Sequence, residues 1–295
     1  MEIIKEQDKS PTETALILGF FDGVHCGHRE VILNAVDYAR NYGKKTVLVT
    51  FRTSAAEYFQ HKAEYIFSRE HSYQIVEELG VDYLYECEFS NLVNLPAKQY
   101  LKDNLVDKFL PISISTGFNH TFGANREGTP QLLKQCSTVY NYNYFCSPAC
   151  VINGETVSST LIKSYLKSGD IERANILLNS PFIINSIVIK GNQLGRKWGF
   201  PTANMLYPEG IVRIPYGVYK VKVLNKPAIL NWGIKPTIGE QRESLEVHIS
   251  NFDGDLYGQA LQVEFVKKLR DEIKFVNIEM LREQIAKDVK ECLES

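Results

Sequence analysis

The chain has 295 residues, 44% of them hydrophobic and 23% charged, so it can bury a sizeable core and is long enough for two domains. A formal net charge of −2 with no block of lysines and arginines excludes the electrostatic footprint of a non-specific nucleic-acid binder. The N-terminus, MEIIKEQDKSPTET, lacks the apolar core of a signal peptide, no stretch approaches the length of a membrane span, and the six cysteines show no C-x-x-C or framework spacing; these features point to a cytoplasmic protein with reduced thiols and no membrane partner.

Apolar and β-branched residues over 14–19 predict a buried strand, and Val31, Ile32, Ala35, Val36 and Ala39 predict a helix over 29–42. Between them lies Gly19 to His28, GFFDGVHCGH. Gly19, Gly23 and Gly27 let the backbone bend and come close to a ligand, and the helix N-terminus offers unpaired N–H groups to an anion. His25 and His28, three residues apart, can share one helix face, and their imidazoles can donate to phosphate oxygens. The segment reads as a phosphate site. A zinc site needs more ligands than this pair supplies, and two histidines in a structural turn are the plain alternative. Cys26, inside the motif, is an oxidation liability.

Strands and helices then alternate: a strand over 46–51, a helix over 70–79, a strand over 81–85, a helix over 97–109 and a strand over 112–115. That alternation predicts an α/β half with a parallel sheet and crossover helices, and places the histidine motif at the C-terminal edge of its first strand. The tyrosine-rich stretch 140–144 reads as a half-buried strand. Beyond Pro181 the pattern changes to strands over 183–189, 217–224, 228–234, 245–251 and 259–266, with turns at 225–227 and at Asp253-Gly254. This half reads as an antiparallel barrel. Ile278, Leu281, Ile285 and Val289 predict a final amphipathic helix packed on it. The domains are expected to span 1–182 and 183–295.

The barrel half opens with Gly191-Asn-Gln-Leu-Gly-Arg-Lys-Trp-Gly-Phe-Pro-Thr-Ala-Asn204. Its glycines can bring N–H groups onto phosphates, Arg196 and Lys197 add charge, and Thr202 and Asn204 offer neutral oxygens suited to hydrated Mg²⁺. A structural glycine-rich hairpin is the equal alternative. Glu246 and His248 share one face of their strand, where a carboxylate can accept a hydroxyl proton and where a solvated face is the plainer reading. Trp232 reads either as a ring-stacking residue or as core.

Taken together, GFFDGVHCGH at 19–28, TGFNHTFGANREG at 116–128, VSSTLIKSYLKSGD at 157–170, GRKWGFPTAN at 195–204, PYGVY at 215–219, NWGIKPT at 231–237, EVH at 246–248 and LRDEIKF at 269–275 resemble the bacterial bifunctional riboflavin kinase/FMN adenylyltransferase family, also called prokaryotic FAD synthetase. The resemblance covers nearly the whole chain. It implies an N-terminal Rossmann-like nucleotidyltransferase domain that makes FAD from FMN and ATP, and a C-terminal six-stranded antiparallel barrel that makes FMN from riboflavin and ATP. In the barrel it implies Glu246 as catalytic base, Thr202 and Asn204 as Mg²⁺ ligands, Gly195, Arg196, Gly199 and Asn231 around the nucleotide, and Arg270 on a loop that closes over the flavin. In the first half it implies Gly19, Phe20, His25, Gly27, His28, Ser159, Thr160 and Lys163 on the ATP phosphates, and Asn119 and Thr121 on the flavin side.

Three positions depart from the family pattern. Thr50-Phe-Arg-Thr-Ser-Ala55 stands where the family has Thr-Phe-x-Pro-His-Pro, His120 replaces a Phe, and Lys163 replaces an Arg, keeping the charge but losing the bidentate fork. Two further readings follow: a riboflavin kinase whose first domain is impaired or retargeted, and a non-catalytic flavin-binding regulator. The sequence carries no signal for oligomeric state.

Overall fold

The computed structural model describes residues 1–5, 8, 12–60, 63–191, 200–237 and 240–294. The chain divides into two compact units, Met1–Glu64 with Arg69–Ser159, and Tyr65–Ser68 with Thr160–Ser295.

The first unit is a parallel sheet with helices between its strands. Its elements are β1 (Glu2–Ile4), β2 (Thr14–Leu18), α1 (Cys26–Asn41), β3 (Lys45–Phe51), α2 (Ala55–Gln60), α3 (Arg69–Glu78), β4 (Tyr83–Cys87) and α4 (Phe89–Leu92). There follow α5 (Ala97–Gln99), a π-helical stretch (Tyr100–Val106), α6 (Asp107–Phe109), β5 (Pro111–Gly117), α7 (Pro130–Tyr140), β6 (Asn143–Ser147), and the small pair β7 (Val151–Ile152) and β8 (Glu155–Thr156). The strand order is β1-β4-β3-β2-β5-β6, with every pairing parallel. The chain therefore steps one way from β2 to β3 and β4, and then crosses to the other side for β5 and β6. Between β2 and β5 the crossovers diverge, which opens a crevice at the C-terminal ends of the strands. Every residue of β2 is buried, as a strand covered on both faces requires.

Two local predictions are corrected here. The stretch 140–144 is not one strand: α7 ends at Tyr140, Asn141 takes the left-handed conformation that stops it, and β6 begins only at Asn143. Tyr142, in the turn, is buried and its hydroxyl donates to the Leu133 carbonyl at 2.6 Å. The helix predicted over 97–109 is present but is π-helical through its middle.

The second unit holds α8 from Thr160 onward (the helix spans Ser159–Ser168), α9 (Ile171–Leu178), β9 (Phe182–Ile187), β10 (Ala203–Met205), β11 (Gly217–Val223), β12 (Lys226–Thr237), β13 (Glu240–Ile249), β14 (Ala260–Arg270) and α10 (Ile278–Glu294). Its strands pair antiparallel in the order β10-β13-β12-β11-β14-β9. Among the described residues the two edges of this sheet meet through one isolated bridge, Ile189 to Asn204, which closes it into a barrel. Leu224 and Asn225 both have positive φ, 51° and 60°, between the paired Val223 and Lys226. A two-residue turn of this hand matches the twist of a hairpin, so the turn falls one residue earlier than the proline suggests.

The barrel is filled from one strand face by Tyr219, Leu230, Trp232, Leu245, Val247 and Phe265, all essentially inaccessible. Outside it, α10 covers Val218 and Ile229 with Cys292 and Val289. Trp232 is core: it is 1% exposed, its Nε1–H donates to the Ile214 carbonyl at 3.1 Å, and it packs on Tyr207 and Tyr216. Trp232→Ala is expected to cost about 3–5 kcal/mol, the range for emptying a large aromatic site. Urea denaturation followed by circular dichroism measures it, and a loss under about 1 kcal/mol would show that the ring does not support the barrel.

Candidate active sites

In the first unit the backbone leaves β2 at Leu18 and turns through Gly19, whose N–H donates to the Val49 carbonyl. A side chain at Gly19 would stand 2.9 Å from the Phe21 ring, so glycine is required by the packing of Phe20-Phe21 over the turn. Gly23 (φ 81°) and Val24 (φ 40°) then bend the chain into α1. A β-branched residue in the left-handed region is strained, and such strain is held only where the surroundings fix it. Val24 is fully buried, and its carbonyl accepts from Arg29 Nε at 3.1 Å.

His25 caps α1. Its Nδ1 accepts the His28 backbone N–H at 3.3 Å, and the two imidazoles stack with centroids 3.6 Å apart and planes within 16°. Because Nδ1 of neutral His25 is an acceptor, its proton sits on Nε2, where it can donate to an anion. Burial pulls the His25 pKa down to about 4. Burial also holds His28 well below the usual imidazole range, with repulsion from His25 adding to it. Both rings are neutral at pH 7, so they act as hydrogen-bond donors rather than as fixed positive charges. His28 Nδ1 is buried with no hydrogen-bond partner among the described residues, and Phe21 meets the ring edge-on at 5.2 Å.

Around this turn, Gly27 packs between the His25 ring and Cys150, and a Cβ there would be in ordinary contact with both at 3.4 Å. Ser159, the last residue of the first unit, donates to the Asp22 carbonyl at 2.9 Å. Thr160 and Lys163 follow on α8, with Lys163 one helical turn after Ser159. Asn119 and Thr121 lie in the loop after β5, the neighbour of β2, and both are exposed. His120 does not point away from the structure: it stacks on Phe122, with centroids 5.7 Å apart. Where the family has its proline run, Arg52 pairs with Glu88 and the Ser54 hydroxyl accepts the Glu57 N–H to start α2.

In the second unit, strand register assembles the site. Asn204 on β10 faces Glu246 on β13, Glu246 faces Asn231 on β12, Asn231 faces Val218 on β11, and Val218 faces Arg270 on β14. Directly opposed residues project on the same face, so these form one row across the outside of the barrel, opposite the Leu230–Val247 face. Gly191 lies against Asn204, where a Cβ would be 2.5 Å from the amide. Gly195, Arg196 and Gly199 lie outside the described residues. Beside Thr202 a cavity of about 230 Å³ is lined by Pro201, Val247, Ile249 and residues from Phe252 to Tyr257. In the sequence that loop shows only the turn signal of Asp253-Gly254.

Arg270 is committed elsewhere than to a ligand. Its Nε and Nη2 donate to the carboxylate of Asp288 on α10, at 2.8 to 3.2 Å, and Gln284 donates to the same carboxylate at 2.8 Å. Asp288 is buried, and nothing in its sequence spacing marked it.

Thr202, Asn204 and Glu246 suit Mg²⁺. Thr202 and Asn204 are two residues apart and Asn204 is paired with Glu246, so they offer two neutral oxygens near one carboxylate, and among the described residues no group of three or more His, Cys, Asp or Glu forms a dedicated cage. Mg²⁺ bound by a nucleotide keeps waters and phosphate oxygens and needs only one or two protein ligands.

Acid should expose the state of the histidines. Unfolded imidazoles take up protons from about pH 6.5 downward, whereas folded His25 does so only near pH 4 and the His28 pKa is likewise depressed. The unfolded chain therefore binds more protons in that window, and stability falls as pH drops through it. A His25→Gln/His28→Gln double variant is expected to lose less stability than the wild type between about pH 7 and pH 5 in urea titrations. Identical pH slopes would show that the rings are not buried in the neutral form.

Comparison with known proteins agrees with both halves. A family model described as FAD synthetase matches residues 7–161, and one described as riboflavin kinase matches 178–295. The bifunctional riboflavin kinase/FMN adenylyltransferase of Bacillus subtilis is 32% identical, over 99% of this chain and 94% of its own length. That of Escherichia coli K12 is 32% identical over 97% and 94%, and that of Haemophilus influenzae 34% over 93% and 92%. A solved structure described as a macrolide-efflux protein from Streptococcus pneumoniae matches with a TM-score of 0.87 at 26% identity, over 98% of this chain and 97% of that one. No helix among the described residues is long and apolar enough to cross a membrane. With two family models matched in order and relatives at about a third identity along nearly the full length, the chain belongs to the bifunctional riboflavin kinase/FMN adenylyltransferase family.

Proposed function

We propose that this chain is a cytoplasmic enzyme that phosphorylates riboflavin to FMN in residues 183–295 and adenylylates FMN to FAD in residues 1–182, with ATP as the co-substrate of both reactions. The observation that carries the reading is that each half gathers its polar residues at one place: a stacked histidine pair at the sheet crossover, and an Asn204–Glu246–Asn231 row on the barrel.

In the barrel, the riboflavin 5′-hydroxyl attacks the γ-phosphorus of ATP and ADP leaves. Glu246 accepts the hydroxyl proton and Asn231, paired with it across β12 and β13, orients the nucleotide. Thr202 and Asn204 would hold Mg²⁺, which supplies charge neutralisation on the phosphates. The family resemblance assigns Gly195, Arg196 and Gly199 to nucleotide binding, and Arg270 turns from Asp288 toward the flavin.

In the first unit, an FMN phosphate oxygen attacks the α-phosphorus of ATP and pyrophosphate leaves. His25 Nε2–H, His28 and the free N–H groups at the start of α1 donate to the phosphates at Gly19, Phe20 and Gly27. Ser159 adds a hydroxyl and Asn119 and Thr121 contact the flavin; the family resemblance assigns Thr160 and Lys163 to the same phosphates. A kinase with an impaired first domain is the second reading. It is favoured by the run after β3, where a serine-capped helix start replaces a proline-stiffened turn.

Separate variants test the division of labour. Glu246→Ala is expected to cut FMN formation by about 10²–10³-fold while FAD formation from supplied FMN is unchanged. His28→Ala is expected to do the reverse, at about 10²-fold. Chromatographic flavin assays with Mg²⁺ and ATP measure both. Loss of both activities in either variant would sink the two-site reading, and FMN accumulating without FAD in the unmodified protein would establish the second.

A further inference from the structure

Two thiols sit inside the first site, and the chemistry above uses neither. Cys26 is the first residue of α1, placed between His25 and His28, and Cys150 lies three residues after β6. Their sulfurs are 2.7 Å apart, both are partly buried, and neither is in a disulfide. Two independent contacts hold the chain around Cys150 against the motif. The Cys150 side chain packs on Gly27, where an added Cβ would be 3.4 Å from its own Cβ. The Cys150 carbonyl accepts the Val157 N–H at 2.9 Å, two residues before Ser159 donates to Asp22.

We propose that Cys26 and Cys150 form a reversible disulfide that shuts off adenylyl transfer at the first site while the barrel continues to phosphorylate riboflavin. This rests on the reading of the first site given above. The oxidant is a peroxide. One sulfur attacks the O–O bond of hydrogen peroxide, becoming a sulfenic acid as the first water leaves; the second sulfur then attacks it, the S–S bond forms and the second water leaves. Two thiols give up two electrons and two protons, and the peroxide is reduced to two waters. The 2.7 Å contact lets whichever sulfur is oxidised first be resolved by the other. A dithiol reverses the reaction by exchange.

The effect on activity follows from where Cys26 sits. Bond formation draws the sulfurs from 2.7 Å to about 2.05 Å. The His25 cap and the stacked rings ride on the same helical turn, so the pull reaches the donors themselves. Misplacing positioning groups by a fraction of an ångström up to about 1 Å lowers the rate by up to about 10²-fold. Sequence spacing does not announce the pair, since 123 intervening positions separate residues 26 and 150.

The test compares protein reduced with dithiothreitol with protein treated with hydrogen peroxide and then freed of it. FMN formation from riboflavin and FAD formation from FMN are assayed on each sample, and non-reduced peptides are mapped by mass spectrometry. The expected result is a Cys26–Cys150 cross-linked peptide two hydrogens lighter than its parts, FAD formation down by about tenfold or more, FMN formation unchanged, and recovery with dithiothreitol. Cys150→Ser is expected to keep FAD synthesis after peroxide, with Cys150→Ala as the second variant if serine perturbs folding. Absence of the cross-link, a cross-link with undiminished FAD formation, or peroxide inhibition persisting in both Cys150 variants would overturn the proposal. Reduced protein that makes no FAD would instead overturn the reading of the first site and this control with it. That result is distinct from the proposal's own failure, in which reduced and oxidised proteins are equally active.

Discussion

Backbone pairing between β10 and β13 sets the position of everything polar on the barrel. Three consecutive pairs, Ala203 to Val247, Asn204 to Glu246 and Met205 to Leu245, put the apolar partners inside and the amide beside the carboxylate outside. A slip of one residue would bury Glu246 and expose Leu245 or Val247, so the hydrophobic pattern of β13 enforces the register that the chemistry needs. Asn231 joins the row for the same reason, because Leu230 and Trp232 on either side of it are both held in the core. Packing and site geometry are one constraint on this sheet.

The first unit solves a different problem, which is to present donors to an anion without fixed charge. A histidine that caps a helix through Nδ1 has its tautomer chosen for it, and burial keeps it neutral. Stacking a second neutral imidazole on it at 3.6 Å is tolerable only because neither ring is protonated. The strained turn at Val24 and the glycines around it are what allow the cap residue to meet the start of α1 at this angle.

Much of this was legible in the sequence, for identifiable reasons. The α/β alternation, the antiparallel half and the final helix were written in hydrophobic periodicity, and GFFDGVHCGH in glycine placement at a strand–helix junction. Glu246 and His248 alternate with buried residues as their spacing required. What did not show was anything set by partners distant in sequence. Cys150 beside Cys26, Asp288 under Arg270, and Tyr65–Ser68 belonging with the barrel, where Phe67 stacks on Phe182, have no local signature. The stretch 140–144 misled because its tyrosines alternate like a strand, while Asn141, a residue suited to left-handed backbone, ends the helix there.

The closure of the barrel at Ile189 and Asn204 has a mechanical side. Most neighbouring strands here are stitched by a ladder of five or more pairs, but among the described residues the two edges meet at one backbone bridge beside a strand of three residues. Parting that seam breaks far fewer backbone bonds than parting any long ladder, and the long hairpin of β12 and β13 need not follow. The residue on the seam is Asn204, whose side chain belongs to the polar row and whose carbonyl makes the bridge at 2.8 Å. The barrel is thus fastened at its weakest point by a residue of its own site, so whatever grips that amide from outside also holds the cylinder shut.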